Sequence, residues 1–581
     1  MAKNYSRMSG LATRKNTALT PQTERANERE VQNSAGGYVF QVDKFQQLKR
    51  WLVLSSTGGT FYISEKKLTK DNAKNICDLF KNTEDGLEAL KIVKDYSISG
   101  KTPKVDTILF TLALASSCEN PVVRATALDS VGEICRTASH LFTYISFVND
   151  LRGWGRGLRN AIADWYLNMP LNKLSYQVCK YPQRRVEKEL PWSHRDLLRK
   201  IHLVPTNSDM NKIMKYVVEG RDLQTKTWVD QKTGKNKARQ IGFSEREFNA
   251  FKNNDNLKYI WAHEEAKNAI DDKIIVKLIE NYNISRESIP NTMFTNDVWF
   301  ALLNNNMPLT AMIRNIRNMT KSGVLAPLSN GTRIVVDTLG NRELLHKSRI
   351  HPLNVLAALN AYAPSHFSCR DFWYGGVAET DYTPVPQIVD VLEEAFYASF
   401  DNIIPTNQNI LIAIDVSGSM TAPMSVGIPG MSCCMGAAAM AMVLARTEKN
   451  SYIMGFADTF RSLGITTKDT IQSVMSKAQM SNFGATDAAV PATWALKNKV
   501  KLGGIVTLSD MESWFGGHGH PYQAMNRYRK KMGLPNTKAI AVGMTSNNYT
   551  IADNNDCNSL DAVGFSTDTP QIISDFIRGD I

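Results

Sequence analysis

Asn409-Ile410-Leu411-Ile412-Ala413-Ile414-Asp415-Val416-Ser417-Gly418-Ser419-Met420 passes from a short run of bulky apolar side chains into a loop of carboxylate and hydroxyl groups. The apolar run reads as a buried strand closed by Asp415. The loop is Asp-x-Ser-x-Ser, and Gly418 lets the backbone turn between the two serines. One carboxylate and two hydroxyls from one tight turn offer oxygens that suit a hard divalent cation. Downstream, strands expected at Ser451–Phe456, Gly504–Leu508, Thr537–Gly543 and Asp561–Phe565 alternate with helices. The helices are expected at Met431–Thr447, Ala488–Lys497, Tyr522–Lys531 and Pro570–Ile577. That alternation predicts a doubly wound α/β unit with a mostly parallel sheet over 407–581. Ligands of such sheets bind beyond the carboxyl ends of the strands, where Asp415 and Asp510 both fall.

Two further loops complete the pattern. Gly484-Ala485-Thr486-Asp487 supplies a hydroxyl before a helix, and Ser509-Asp510 ends a later strand. Three readings fit these residues: a ligand-binding metal site, a purely structural metal, or loop caps with no metal. No general base stands out for hydrolysis, and His518-x-His520 lacks further ligands for zinc.

The first part of the chain follows a different grammar. From Gly37 to Val389 apolar residues recur at helical spacing, as in Asn72–Phe80, Leu87–Tyr96, Val105–Ser116, Pro121–Ile134, His140–Val148 and Leu158–Tyr166. The series continues through Asn211–Val218, Asn256–Ile270, Asp272–Tyr282, Leu309–Met319 and Leu353–Leu359. So many helices with few strand signals predict helix pairs stacked as an all-α solenoid without a clean sequence period. Thr225–Gly242 reads as a basic loop, residues 1–36 as a disordered polar tail, and 390–406 as a linker.

Charge separates the two parts. The 581 residues carry a net charge of +12, yet 401–581 hold 14 Lys+Arg against 14 Asp+Glu, so the excess lies in the first 400. Leu151–Lys200 alone has 11 basic residues against 4 acidic. A localised excess of this kind suits a polyanion. Within it, Arg156 and Arg159 lie one helical turn apart, while Leu158, Ile162 and Trp165 mark another face. Basic groups alternate with aromatics again through Lys180-Tyr181-Pro182-Gln183-Arg184-Arg185 and Trp192-Ser193-His194-Arg195 to Arg199. That mixture suits phosphate contact with base stacking, and equally a solvated face over core tryptophans.

Several classes are excluded. The longest nearly unbroken apolar run, Met435–Ala445, falls far short of the ~20 residues that span a bilayer. The start of the chain has no apolar signal core. The 8 cysteines are scattered without Cys-x-x-Cys, the pattern of reduced thiols in a cytoplasmic protein. Gly100-Lys101-Thr102 imitates the end of a phosphate loop, but Asp95 stands where the first glycine belongs. No nucleophile elbow or zinc-protease motif is present.

The wording of the segments adds a resemblance. Asp415-x-Ser417-x-Ser419, Thr486 and Asp510, in this order, resemble the metal-ion-dependent adhesion site of von Willebrand factor A-like domains. Asn33–Phe40, Gly58–Ile63, Gly153–Tyr166, Trp192–Leu203, Arg446–Lys449 and Gly543–Asn547 resemble the Ro ribonucleoprotein family. Such a resemblance implies a TROVE module over 37–389, HEAT-like helices closed into a ring, joined to a von Willebrand A-like domain of Rossmann type. It implies Mg²⁺ held by Asp415, Ser417, Ser419, Thr486 and Asp510, with one position open to a partner's oxygen. It also implies a cytoplasmic, monomeric, non-enzymatic RNA-binding protein of non-coding RNA quality control. Y RNAs would bind the outer surface, the single-stranded 3′ ends of misfolded RNAs would enter the opening, and an exoribonuclease could be tethered. The expected RNA contacts are Arg156, Arg159, Lys180, Arg184, Arg185, His194, Arg195 and Arg199, with His194 alternatively a core residue. The spacing between Arg184 and Trp192 is longer than the family norm, so Arg184, Arg185 and Lys188 are alternatives for one stretch. The competing class is a metal-dependent adhesion or scaffold protein that uses the second domain as its binding end.

Overall fold

The first helices of the chain show why it becomes a solenoid. Glu65–Lys81, Thr83–Ile98, Asp106–Ser117 and Ala138–Leu151 each bury an apolar stripe against the next helix. Side chains cap many of them: Asn82 accepts the N–H of Asp85, and Asn120 accepts those of Val122 and Val123 ahead of Pro121. The computed structural model describes residues 19–56, 60, 62–181, 192–229, 236–305, 307–363, 381–400, 403–422, 432–479, 484–515 and 517–581.

The helical series closes on itself. Asn354, early in the Pro352–Tyr362 helix, donates its amide to the carbonyl of Pro103 at 3.2 Å. Arg349 packs so closely on Gly100 that a Cβ there would lie 2.9 Å away. The end of the solenoid therefore meets its beginning, as a ring requires. No helix among the described residues is long and apolar enough to cross a membrane.

The second module is a six-stranded sheet. The chain's strands are β1 (Glu30–Gln32), β2 (Tyr38–Gln41), β3 (Gln224–Val229), β4 (Asn236–Ile241), β5 (Asn409–Asp415), β6 (Asn450–Phe456), β7 (Phe460–Ser462), β8 (Gly504–Ser509), β9 (Lys538–Gly543), β10 (Tyr549–Thr550) and β11 (Ser559–Val563). The order is β11-β9-β8-β5-β6-β7, parallel except for the edge strand β7. From β5 the chain moves outward to β6 and later returns to β8 on the other side. The crevice at this reversal lies over the carboxyl ends of β5 and β8.

Several expectations need correction. The polar tail does not extend to residue 36. From Leu19 onward the chain is a strap on the second module: Gln22, Glu30 and Asn33 are buried, and β2 pairs with β10. Its polar composition is satisfied by hydrogen bonds, as when Asn33 donates to Ser513 O at 2.8 Å. The linker at 390–406 is crossed by the Pro386–Ala398 helix, which buries Ile388, Val391, Leu392 and Phe396. Pro121–Ile134 is two helices, because the first ends at Asp129 and Ser130 turns its hydroxyl back onto Thr126 O. Thr225–Gly242 is a β-hairpin, not a loop, with Trp228 opposite Lys237.

The modules are welded. Arg50, fully buried, ion-pairs with Asp561 and donates to Tyr549 O at 2.8 Å. Its guanidinium lies over Gly543, where a Cβ would come within 2.7 Å of Cζ. Asn72 reaches Ser546 O and Oγ, both at 3.3 Å, and Gln46 donates to Asp561 O. One apolar cluster runs unbroken from Leu48 to Ile577.

Candidate functional site

The sheet edge gathers the oxygens that the sequence singled out. Asp415 ends β5, and its Oδ1 accepts the N–H of Ser417 at 2.9 Å. Its Oδ2 accepts the hydroxyl of Ser509, from the end of β8, at 2.6 Å. The hydroxyls of Ser417 and Ser419 stand 3.2 Å apart, and Ser419 also bonds the Asp510 side chain. Thr486 is buried, and its carbonyl accepts from Ser513 Oγ and from the N–H groups of Trp514 and Phe515. The three loops are thus stitched to one another.

The electrostatics favour a cation there. Asp415 and Asp510 are buried and make no ion pair among the described residues. Burial first, and for Asp415 the neighbouring Asp510 second, pushes both carboxyls above their ordinary range. Glu512 joins them, pushed up to about 8 by burial and by Asp510. Buried carboxylates without a counter-charge are costly, and a divalent cation would remove that cost. Among the described residues no group of three or more His, Cys, Asp or Glu side chains converges as a metal site. Two carboxylates and the Ser417 and Ser419 hydroxyls lie together there, with the Thr486 loop beside them, and hard oxygens of this kind suit an ion that keeps some of its waters.

Backbone strain sits in the same place. Met511, between Asp510 and Glu512, has φ +65°, a conformation a side-chain-bearing residue holds at a cost of ~1–3 kcal/mol. The histidines of the nearby loop part company. His518 Nδ1 lies 2.8 Å from Asp487 Oδ2, whereas His520 donates from Nε2 to Glu24 O at 2.9 Å and faces Glu30.

On the helical ring the predicted RNA residues divide. Arg156, Arg159 and Arg199 are exposed. The Arg156–Leu167 helix begins without a side-chain cap, so its first N–H groups add to their field. The end of the His194–Ile201 helix reaches this point through Lys200, whose Nζ lies 4.8 Å from the centre of the Trp154 ring and 5.7 Å from that of Trp192. Arg195 is half-buried at the start of that helix. Lys180 is not a free cation: it bonds Tyr176 Oη at 3.0 Å and pairs with Glu287 at 3.5 Å. Arg184, Arg185 and Lys188 lie outside the described residues.

His194 is a core residue. Its ring is buried against Phe142, Trp165 and Tyr166, and Nδ1 lies 2.7 Å from the Tyr166 hydroxyl. Burial lowers its pKa to about 3, so it carries no charge for a phosphate at neutral pH. Ser193 before it closes a capping box with Asp196. Trp-Ser-His thus builds the scaffold on which Arg199 and Lys200 are displayed.

Comparison with known proteins agrees with both modules. The TROVE domain model matches residues 31–364, and the Ro60 vWA domain model matches 409–577. The chain belongs to the Ro family. It is 35% identical to the RNA-binding protein RO60 of Deinococcus radiodurans over 563 residues, covering 97% of this chain and 98% of that one. The corresponding protein of Caenorhabditis elegans, also named an RNA-binding protein, is 31% identical over 611 residues, covering 96% and 92%. The crystal structure of the Deinococcus radiodurans RO (RSR) protein superposes with a TM-score of 0.64 at 34% identity, covering 93% of this chain and all of that one.

Family wording in this chain now has physical content. Gly543–Asn547 is the loop on which the ring docks, beneath Arg50 and Asn72. Asn547 joins that interface to the Asp510 loop by donating to Asp510 O at 2.8 Å and Glu512 Oε1 at 3.1 Å. Glu448 accepts the N–H and hydroxyl of Thr406, tying the entry of the sheet domain to its first crossover helix. Sequence reasoning missed Ser509, Glu512, Asn547 and Tyr62, whose phenol reaches the Ser419 side chain from the ring. Ser509 stood beside Asp510 and could have been found there. Tyr62 and Asn547 lie in segments that carry the family resemblance, but nothing local ties them to this site, because only the tertiary fold brings them there.

Proposed function

We propose that this chain is a non-enzymatic RNA chaperone-like component of non-coding RNA quality control, binding small structured Y RNAs on the basic outer face of the ring. The observation that carries this reading is the exposed set of Arg156, Arg159, Arg199 and Lys200 on two neighbouring helices, on a ring whose relatives are named RNA-binding proteins. Guanidinium and ammonium groups hold phosphates, while the Trp154 and Trp192 rings pack on each other beneath Lys200 and support that face. Single-stranded 3′ ends of misfolded RNAs enter the central opening, which admits a strand and rejects the wider A-form duplex. A bound Y RNA can tether an exoribonuclease, which would do the cleavage this chain does not. We take the protein to act in the cytoplasm, as its scattered cysteines suggest, and as a monomer within the ribonucleoprotein.

At the sheet edge Asp415, Ser417, Ser419, Thr486 and Asp510 hold Mg²⁺ in this reading. The ion would neutralise the buried carboxylates and offer one coordination position to an oxygen of a protein partner. The residues' task is positional: the Ser509 hydroxyl fixes one oxygen of Asp415, and Asn547 holds the Asp510 loop to the ring.

Sequencing RNA that co-purifies with the native protein tests the RNA reading. Discrete small structured RNAs are expected, and bulk ribosomal fragments bound no better than by an unrelated basic protein would overturn it. Equal affinity for tailed and blunt versions of one hairpin would remove the threading step.

A further inference from the structure

We propose that a tyrosine-lined cavity between three helices of the ring takes one unpaired, carbonyl-bearing nucleobase of a single-stranded RNA. The base would lie against the tyrosine rings, with its carbonyl oxygens on the amides of Asn172 and Asn283. The inference goes beyond the Arg156–Lys200 face but rests on this chain binding RNA.

The cavity encloses about 440 Å³, within the range of small-ligand sites. It opens between the start of the Leu171–Lys180 helix, the start of the Lys258–Lys267 helix and the end of the Asp272–Tyr282 helix. Tyr176, Tyr259 and Tyr282 line it and are half-buried. Their neighbours hold the rings in place. Tyr176 meets Tyr259 edge-on at 5.3 Å, and Tyr282 lies 5.3 Å from the Trp261 ring. The Tyr259 hydroxyl donates to Ser285 Oγ at 3.1 Å and accepts the Ser285 N–H at 3.0 Å, while that of Tyr176 accepts from Lys180. The aromatic wall is therefore set before a ligand arrives, which lowers the cost of binding.

The polar groups select the ligand. The charged lining residues, Asp255 and Lys258, pair with each other at 2.6 Å, so the cavity has no net charge to draw a phosphate inside. Asn172 Oδ1 accepts the Lys173 N–H at 2.8 Å, and Asn283 Oδ1 accepts from the Asn305 side chain at 3.2 Å. Each amide thus has its oxygen engaged and its N–H donors to spare. The Tyr282 hydroxyl also has no partner among the described residues. An uncharged site with an aromatic wall and surplus donors suits a flat, neutral ring that carries carbonyl oxygens. Uracil, cytosine and guanine are of this kind, whereas adenine has no carbonyl. The base must be unpaired, because in a duplex its faces are stacked and its carbonyls are engaged. Its phosphate stays at the rim, where Lys173 is exposed.

Anisotropy titrations of the full chain with fluorescent oligouridine and oligoadenosine test the site. Asn172→Ala with Asn283→Gly removes both amides without touching the core, since both residues are exposed and glycine accepts the φ of +51° at 283. The melting temperature should therefore hold. Oligouridine binding should weaken about fivefold or more, and oligoadenosine binding should not change. Tyr176→Ala should weaken both RNAs about fivefold, because it removes part of the stacking wall. Unchanged oligouridine affinity in the folded asparagine variant would overturn the proposal. Equal losses for the two RNAs in that variant would overturn it as well, since the amides would then not be reading carbonyls. Failure of the underlying RNA reading looks different: the unaltered protein would then bind neither RNA.

Discussion

The residues read from sequence as metal ligands lie on three loops that meet at one sheet edge, whereas those read as RNA contacts are spread from solvent to core. Asp415 and Asp510 follow directly from neighbouring parallel strands, so backbone register alone brings them together. Arg156, Lys180 and His194 begin or end separate helices, and the rotation of each helix decides whether its side chain faces water, a carboxylate or the core. Motifs at strand ends therefore specify a place. A basic composition along helices specifies a surface and leaves its members to packing.

The weld between the modules offers the largest test of that contrast. Arg50→Ala leaves Asp561 buried without its partner and the carbonyl of Tyr549 without a donor. The expected loss is about 3–5 kcal/mol of stability. It would be read in denaturant melts followed by probes on each module. If the two modules melt separately in the variant but together in the unaltered protein, the weld is what couples them. An unchanged melt would mean that the apolar seam suffices. Restoring a charge-free pair with Arg50→Met and Asp561→Leu should recover part of the loss, though not the carbonyl contacts.

Next in size is the metal site. Asp415→Ala should abolish Mg²⁺ binding in calorimetry, while Ser419→Ala should only weaken it, because the carboxylates carry most of the attraction. RNA affinity should survive both changes, since 401–581 carry no net charge. Loss of RNA binding in Asp415→Ala with an intact melt would mean that the sheet edge and the ring act as one site. Cleavage of RNA abolished by the same change would make the chain an enzyme.

A smaller effect is expected on the basic face. Arg156→Glu with Arg159→Glu should weaken RNA binding about tenfold or more and lower the salt slope by roughly 1.4 on single strands. The loss should be similar across RNA sequences, because phosphate contacts carry no base information. A loss confined to one sequence would mean that these arginines read bases.

Much of the architecture was legible. Alternating strands and helices after Asn409 gave the sheet domain, and helical periodicity before it gave the solenoid, because both follow from local burial patterns. The strap from Leu19 to Gln41 was not legible. Its residues are polar, and their partners, such as Ser513 for Asn33, lie hundreds of positions away. The Pro386–Ala398 helix was hidden for a related reason: the charge balance changes nearby, while the helix packs back onto Pro352–Tyr362 and belongs to the ring. The Thr225–Gly242 hairpin was read as a loop because exposed strands lack an apolar alternation to announce them. At the sheet edge, the loop of Asp415, Ser417 and Ser419 and the neighbouring Asp510 were legible as a motif, whereas the roles of Glu512 and Asn547 beside them were not.

The smallest expected effect concerns His194, and it separates a contact from a scaffold. Its ring is enclosed by Phe142, Trp165 and Tyr166, so no RNA atom reaches it without unfolding the start of its helix. His194→Gln should then leave RNA affinity within about twofold at pH 7 in whatever fraction remains folded. Its effect should appear instead in the pH dependence of stability. Folded His194 titrates at about 3, against about 6.5 for a free imidazole, so the unfolded chain takes up a proton that the folded chain refuses. Stability from this group is complete above pH 6.5 and is lost as the pH falls toward 3, by up to about 1.4 kcal/mol per pH unit. His351, lowered to about 3 by the same burial, acts in the same direction, so His194→Gln should reduce the acid sensitivity without abolishing it. Melts from pH 7.5 to 4 would measure the difference. A tenfold loss of RNA affinity at pH 7 with an unchanged melt would return His194 to the contact surface, and would mean that its helix opens when RNA binds.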